Sequence, residues 1–301
     1  MNQLVNKTPL ISGFTMVKNG LTLGYPIKES IESIAPICDE VIINIGFDDP
    51  ACTKDDGTYA YLKKYFNHSK FVFIKNYWDP EVATKGVVLS QQTNLALAKC
   101  RGKYCQYIQA DEVVHELDLQ IIHREVMNME KDDAIHGLIF NYLHFYGNVD
   151  IVKHTRSSYR REVRLIRNGL GIKSYLDAQG FRYSDDAKVA AKQIKAKIYH
   201  YGWARKEEVM DRKNKSFGKL YHGTTHREAE FIYERVWGLR PFHDTHPELM
   251  QEWVEGHRND LDIMRMDLKW EWRNLGLAFS DTIEFLTGYR MGEFKNFKEI
   301  R

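Results

Sequence analysis

The run Gln92-Thr93-Asn94-Leu95-Ala96-Leu97-Ala98-Lys99-Cys100-Arg101-Gly102-Lys103-Tyr104-Cys105-Gln106-Tyr107-Ile108-Gln109-Ala110-Asp111-Glu112 decides how this chain folds. It reads as a short helix, a glycine, a buried strand over 104–108, and two carboxylates at the strand's end. Ser90 stands ahead of the helix as an N-cap and Gly102 follows as its stop. Carboxylates delivered to a loop by a central strand can hold a divalent cation against a phosphorylated ligand.

The same alternation extends toward the N-terminus. Residues 10–17 are β-rich and end in the turn signal Lys18-Asn19-Gly20. Ile27, Ile31, Ile34 and Ile37 recur close to helical spacing. Residues 41–45 are almost wholly apolar, as expected of a strand covered on both faces. Residues 47–57 read as a loop, 59–66 as a helix, 71–74 as a third strand and 78–86 as a loop over the site. This order predicts an open α/β sheet with ligands at the carboxyl ends of its strands. After Glu116 the pattern changes: a helix over 119–129, an aromatic strand over 135–146, an alternating segment over 161–166 and a last strand over 194–201. From Trp203 onward the chain reads as helical and tryptophan-rich, and the composition shift there is the best candidate boundary.

Length and composition set the outer limits. A chain of 301 residues suits one large domain with a smaller appendage. With 43% hydrophobic and 28% charged residues it can bury a sizeable core. A formal charge of +2 does not announce nucleic acid. Basic residues do cluster over 154–167 and 188–219, either as a solvated face or as a patch for phosphate or an acidic acceptor. Cys38, Cys52, Cys100 and Cys105 form no Cys-x-x-Cys pair, so they read as buried thiols in a reducing compartment. No apolar run reaches the roughly 18 residues of a membrane span, and residues 1–9 lack a signal-peptide core. The expectation is a cytoplasmic protein, with peripheral membrane contact left open.

Three pieces in order resemble glycosyltransferase family 2 and its GT-A fold. They are Ile11-Ser12 with the strand leading to Lys18-Asn19, then Asp39-Glu40-Val41-Ile42-Ile43, then 92–112. The last is similar to a family branch whose strand ends in a Leu-Asp-Ala-Asp-Glu-like motif. The resemblance implies a GT-A-type open α/β/α sandwich with a mixed, mostly parallel central sheet and a helical C-terminal extension. It implies a catalytic region over 1–202, with a nucleotide-sugar half to about 116 and an acceptor half from about 117, followed by a helical region over 203–301. The activity implied is an inverting, cation-assisted hexosyl- or pentosyltransferase. The donor would be a nucleotide-diphosphate sugar and the acceptor a glycan, lipid-linked or other hydroxyl.

Site residues follow by position. Asp111 is the metal ligand, and His200 a further one; His222 is a weaker candidate. The cation would be Mn²⁺ or Mg²⁺, which prefer oxygen ligands. Gln109 stands where the family's first aspartate would be; its amide can bond a ribose hydroxyl but brings no charge. Lys18, Asn19, Lys85, Gln92, Gln109 and Ala110 are candidate donor contacts. Near Ile45 the family's base-reading aspartate is missing, and Asp48 or Asp49 is a substitute. An inverting enzyme needs a general base. Asp177 is the first choice, with Glu162 and Glu112 behind it. Arg161, Arg164 and Arg167 are either surface charge or a site for an anionic acceptor, and Tyr142, His144, Phe145 and Tyr146 either core or a sugar platform. The apolar tail, Trp270 to Tyr289, would pack on the core, with an oligomer contact or an interfacial membrane helix as alternatives.

Two rival readings remain. A nucleotidyltransferase would need a glycine-rich basic loop after the first strand, and Lys18-Asn19-Gly20-Leu21 is too short and glycine-poor for one. A catalytically inactive nucleotide-sugar-binding protein would have Gln109 as its lesion.

Overall fold

The computed structural model describes residues 10–82, 85–223, 225, 227 and 229–300. Strands and helices alternate through the first part: β1 (Ile11–Val17), α1 (Ile27–Ile34), β2 (Glu40–Phe47), α2 (Thr58–Tyr65), β3 (Phe71–Tyr77), α3 (Val87–Leu97) and β4 (Tyr104–Tyr107). β1 runs parallel to β2 on one side and to β4 on the other, and β2 runs parallel to β3. Every residue of β1, β2 and β4 is buried, so their sequences are near-continuous apolar runs rather than alternating ones. The chain leaves β1 toward β2 and β3, then crosses back to the far side of β1 as β4. That reversal opens a crevice at the carboxyl ends of β1 and β4.

The next elements are β5 (Glu112–Val114), α4 (Leu119–Met129), β6 (Gly137–Tyr146), β7 (Asn148–Lys153), β8 (Arg161–Arg167), β9 (Ile172–Tyr175), β10 (Gly180–Tyr183) and β11 (Ala190–Trp203). β8 inserts between β4 and β6, antiparallel to both. β11 runs parallel to β6 and antiparallel to β5. The result is a mixed sheet of 11 strands among the described residues. Side chains of α1, α2 and α4 pack on one face, around Ile31, Leu62 and Val126. Ala96 and Leu97 of α3 pack on the other face with Phe14, Tyr107 and Phe181. This is the open sheet expected from the alternation, in the α/β/α sandwich that the resemblance implied.

The last part holds α5 (Glu207–His222), β12 (Leu239–Pro241), α6 (Gln251–His257), α7 (Arg273–Thr287) and β13 (Lys298–Ile300). It returns to the sheet twice, β12 on β7 and β13 on β11. β11 itself runs through Trp203, so the composition shift there marks no break in the sheet. Of the apolar tail, Leu277 is buried as expected, whereas Trp270, Trp272, Leu275, Phe279, Phe285, Leu286 and Tyr289 are exposed. No helix among the described residues is long and apolar enough to cross a membrane.

Two local expectations change. α3 starts at Val87 behind a left-handed Gly86, and Ser90 lies inside it, its hydroxyl donating to the Val87 carbonyl at 3.0 Å. Gly102 does not end the helix, which is already over at Leu97. It lies against β1 instead: a Cβ there would meet the Ser12 backbone nitrogen at 2.6 Å, and its N–H donates to Ser12 Oγ at 2.7 Å. Glu40 completes this junction, accepting from Ser12 Oγ at 2.6 Å and from Arg101 Nε at 2.8 Å.

Candidate active site

A cavity of about 720 Å³ fills the crevice beneath α5. Lys18 and Asn19 enter it from the end of β1, Asp48 from the end of β2, and Gln109, Ala110 and Asp111 from the end of β4. Three parallel strands thus project their C-terminal residues into one space, as the open sheet predicts. Lys18 pairs with Asp48 at 2.7 Å. Asp49 does not enter the cavity; its carboxylate caps the Asp49–Lys54 turn, accepting from Thr53 N at 2.9 Å and Lys54 N at 2.7 Å. Asp48 is therefore the carboxylate that this loop presents to the cavity.

Asp111 is buried, and its charge is answered from α5. The Lys213 ammonium lies 3.1 Å from Asp111 Oδ2 and also donates to the Gly202 carbonyl at 2.8 Å. Burial works against ionisation of Asp111, but Lys213, His200 and Arg205 outweigh it and hold the carboxyl well below the usual carboxylate range. Burial pulls Lys213 down to about 8 while Asp111 resists, so the pair remains ionised at neutral pH. Tyr25, Trp203 and Phe217 surround the ammonium, with ring centroids at 5.5, 5.6 and 5.4 Å.

His200 sits on β11, in register with Glu112 on one side and His144 on the other. His144 Nε2 lies 2.5 Å from the Tyr159 carbonyl, which can only accept, so this nitrogen carries the proton. His144 Nδ1 is then the acceptor for His200 Nδ1–H at 2.9 Å. The chain of bonds leaves His200 Nε2 unprotonated, 3.8 Å from Asp111 Oδ2. Burial pushes His144 down to about 3 and His200 down to about 4, so both rings are neutral near pH 7. His200 thereby offers a lone pair to a hydroxyl donor in the cavity.

Asp177 reaches the cavity from a tight turn between β9 and β10. Leu176 and Ala178 on either side adopt positive φ, 48° and 63°, uncommon for residues with a Cβ. The Asp177 carboxylate accepts from the Tyr221 hydroxyl at 3.0 Å. A second cavity of about 590 Å³ adjoins the first, and Tyr159, Gln179, His200 and Trp203 line both. Lys153, Arg156, Ser157 and Ser158 line its far part.

Other candidates are placed elsewhere. Glu112 is fully buried: Arg164 Nε and Nη2 bond its two oxygens at 3.0 and 2.8 Å, and the Tyr142 hydroxyl donates at 2.8 Å. Every strong donor around it is structural, so it anchors the loop. Gln92 is buried away from the cavity, accepting from Asn44 Nδ2 at 3.0 Å. Lys85 is exposed outside the cavity wall. Glu162 is buried beneath the Asp177 turn, where it accepts from Gln179 Nε2 at 2.7 Å. His222 is exposed at the end of α5 and does not line the cavity. Arg161, Arg164 and Arg167 are buried and paired with Glu293, Glu112 and Asp133, which excludes them as a surface for an anionic acceptor. Tyr142, His144 and Phe145 are buried, and His144, Phe145 and Tyr146 border the second cavity.

The donor set does not fit a divalent cation. Among the described residues no group of three or more His, Cys, Asp or Glu converges on one point. Gln109 spends its amide on the Ala178 carbonyl at 3.1 Å, and the Lys213 ammonium already occupies one oxygen of Asp111. Of a hard cation's six or more ligands the protein would supply at most one imidazole and the oxygen of Asp111 that Lys213 leaves free, with substrate phosphates and water supplying the rest.

Lys213 is the residue that sequence reading missed, lying 102 positions beyond Asp111. Its signal was the basic stretch 188–219, where nothing singles out one lysine.

No protein-family model matches the chain, and no curated protein matches it in sequence. Solved structures similar to it include Staphylococcus aureus TarS 1–349 with UDP, at 13% identity and a TM-score of 0.37, over 70% of this chain and 65% of that one. TarS 1–349 with UDP-GlcNAc aligns at 14% identity and a TM-score of 0.31, over 45% and 34%. The mannosyltransferase PcManGT from Pyrobaculum calidifontis, with GDP-Man and Mn²⁺, aligns at 16% and 0.32, over 44% and 35%. The chain spans less than two thirds of each of these relatives. At such identities and scores the likenesses carry no weight for its activity.

Proposed function

We propose that this protein transfers a sugar from a nucleotide-diphosphate donor to a hydroxyl acceptor, with inversion at the anomeric carbon. The observation that carries the reading is the cavity at the carboxyl ends of β1, β2 and β4, with Asp111 at its floor and cationic side chains of α5 as its roof. Such a crevice suits a dinucleotide-sized anion: five cationic side chains line it against three carboxylates. The nucleotide would lie along Lys18, Asn19 and Asp48, and the sugar would point toward Asp177. The acceptor would approach through the second cavity. Its hydroxyl oxygen bonds the anomeric carbon while the bond to the diphosphate breaks, and the proton passes to Asp177. The electron pair of the broken bond leaves with the diphosphate. Held in a turn with two left-handed neighbours, Asp177 is aimed by the backbone rather than by a flexible arm.

Binding and turnover of a panel of UDP- and GDP-sugars test the reading. Asp177→Asn is expected to lower transfer by about 10²–10⁴-fold while leaving donor affinity within twofold of wild type. An inactive binding protein would bind the donors and show no turnover for Asp177 to lose. Failure of every nucleotide-diphosphate sugar to bind refutes the proposal.

A further inference from the structure

We infer that Lys213 takes the place of a divalent cation: its ammonium neutralises the leaving diphosphate, and donor binding proceeds without metal. The inference rests on the proposed glycosyl transfer and deepens it at the point where charge develops.

The carboxylate pair that would hold a metal is reduced to one, because Gln109 brings no charge and donates its amide to the Ala178 carbonyl. The carboxylate that remains on the β4 loop, Asp111, is matched by one ammonium at 3.1 Å, so a dication there would have to displace that ammonium or bind beside a like charge. Lys213 is held as a positioned group, not as a flexible surface lysine. It is 7% exposed, donates to Asp111 and the Gly202 carbonyl, and sits among three aromatic rings. Two of its three N–H bonds are thereby used, and among the described residues no third acceptor bonds it, although the side chain lines the cavity.

The neighbourhood reinforces the charge. Arg205, fully buried behind Lys213, donates to the Gly202 carbonyl at 2.8 Å and lies over Tyr25 at 4.6 Å. Arg212, Lys215 and Lys219 reach the same cavity from the same helix. As the glycosidic bond breaks, negative charge accumulates on the β-phosphate oxygen, and a preorganised ammonium in a water-poor site stabilises it. No redox or covalent step is needed. Lys213 keeps its proton and donates a charge-assisted hydrogen bond.

The test is calorimetric titration of the full chain with UDP and with GDP, in EDTA and again in excess Mn²⁺. Paramagnetic resonance of Mn²⁺ in the same mixtures reports the metal directly. The expected result is equal affinity within about twofold in the two buffers, with no protein-dependent loss of the free Mn²⁺ signal. Lys213→Met, nearly isosteric and neutral, should weaken the better nucleotide roughly 10–100-fold, the worth of a hydrogen bond to a charged group. Lys213→Arg should recover part of that loss. Thermal melts confirm that both variants are folded. Binding that disappears in EDTA and returns with Mn²⁺ overturns the inference while preserving donor binding, and this arm needs no variant. Lys213→Met binding as tightly as wild type also overturns it. If neither nucleotide binds in either buffer, donor binding itself fails and the inference with it.

Discussion

Glu112→Gln separates an anchoring carboxylate from a catalytic one. The side chain keeps its shape but loses its charge and one acceptor oxygen. In the native protein Arg164 is fully buried, and its guanidinium spends two N–H bonds on Glu112 and another on the Gln179 carbonyl at 2.7 Å. With glutamine at 112 that cation is left buried without a counter-ion. Removing one partner of a buried pair costs about 3–5 kcal/mol. The Tyr142 hydroxyl and the Gln109 backbone N–H donate to different oxygens of Glu112, at 2.8 and 3.1 Å, and the amide keeps only one of them, so a lost acceptor adds to the lost charge. At roughly 2–4 °C per kcal/mol for a chain of this order of size, the midpoint of thermal unfolding should fall by about 6–20 °C. Removing both partners, as Glu112→Leu with Arg164→Met, should restore much of the loss, because the desolvation cost disappears with the pair. Differential scanning calorimetry of the wild type and the two variants, alongside donor turnover, is the assay. A Glu112→Gln protein that melts within about 1 °C of wild type and has lost turnover would refute the anchoring role and return Glu112 to the general bases.

Two further outcomes follow from the same region. Burial raises Glu162 from 4.5 to about 7, with Arg164 and Gln179 pulling it back only in part. The folded state therefore holds a proton that the unfolded state releases between about pH 4.5 and 7, and stability falls as pH rises through that window. Glu162→Gln, which keeps the acceptor for Gln179, should match wild type near pH 4.5 and exceed it by roughly 3 kcal/mol above pH 8; urea denaturation at the two pH values checks this, and a constant offset would contradict it. Gly202→Ala would place a Cβ 2.5 Å from His200 Nε2 and 2.9 Å from Asp111 Oδ2. It should cost about 1–3 kcal/mol of overpacking strain and weaken nucleotide-diphosphate binding by more than tenfold, measured by calorimetry at a temperature where the variant is folded; unchanged affinity would place the ligand away from Asp111.

Much of the architecture was legible because periodicity reports burial. The continuous apolar run at 41–45 can only be covered on both faces, and β2 is buried throughout. The helix over 119–129 carries its apolar residues on one face, and α4 spans those residues. Boundaries set by long-range contact were not legible. Gly102 looks like a helix stop until Ser12, distant in sequence, comes to lie against it. The arginines of β8 look like surface charge until Glu112, Asp133 and Glu293 close on them from three other segments.

The sequence by itself determined the order of strands and helices from β1 to β4, the delivery of Asp111 to a loop after β4, and the altered position at Gln109. Those features depend on local propensity and spacing along the chain. The short strands β5, β7, β9, β10, β12 and β13 were not read from it. Only the tertiary structure decided what each charge faces. Asp111 meets Lys213 because α5 folds back over the crevice, whereas its neighbour Glu112 points the other way into Arg164. Adjacent residues leaving a strand project to opposite sides, so one carboxylate became part of the cavity and the other part of the core. Charge pairing across 102 residues depends on the distance between folded segments, which no local pattern encodes.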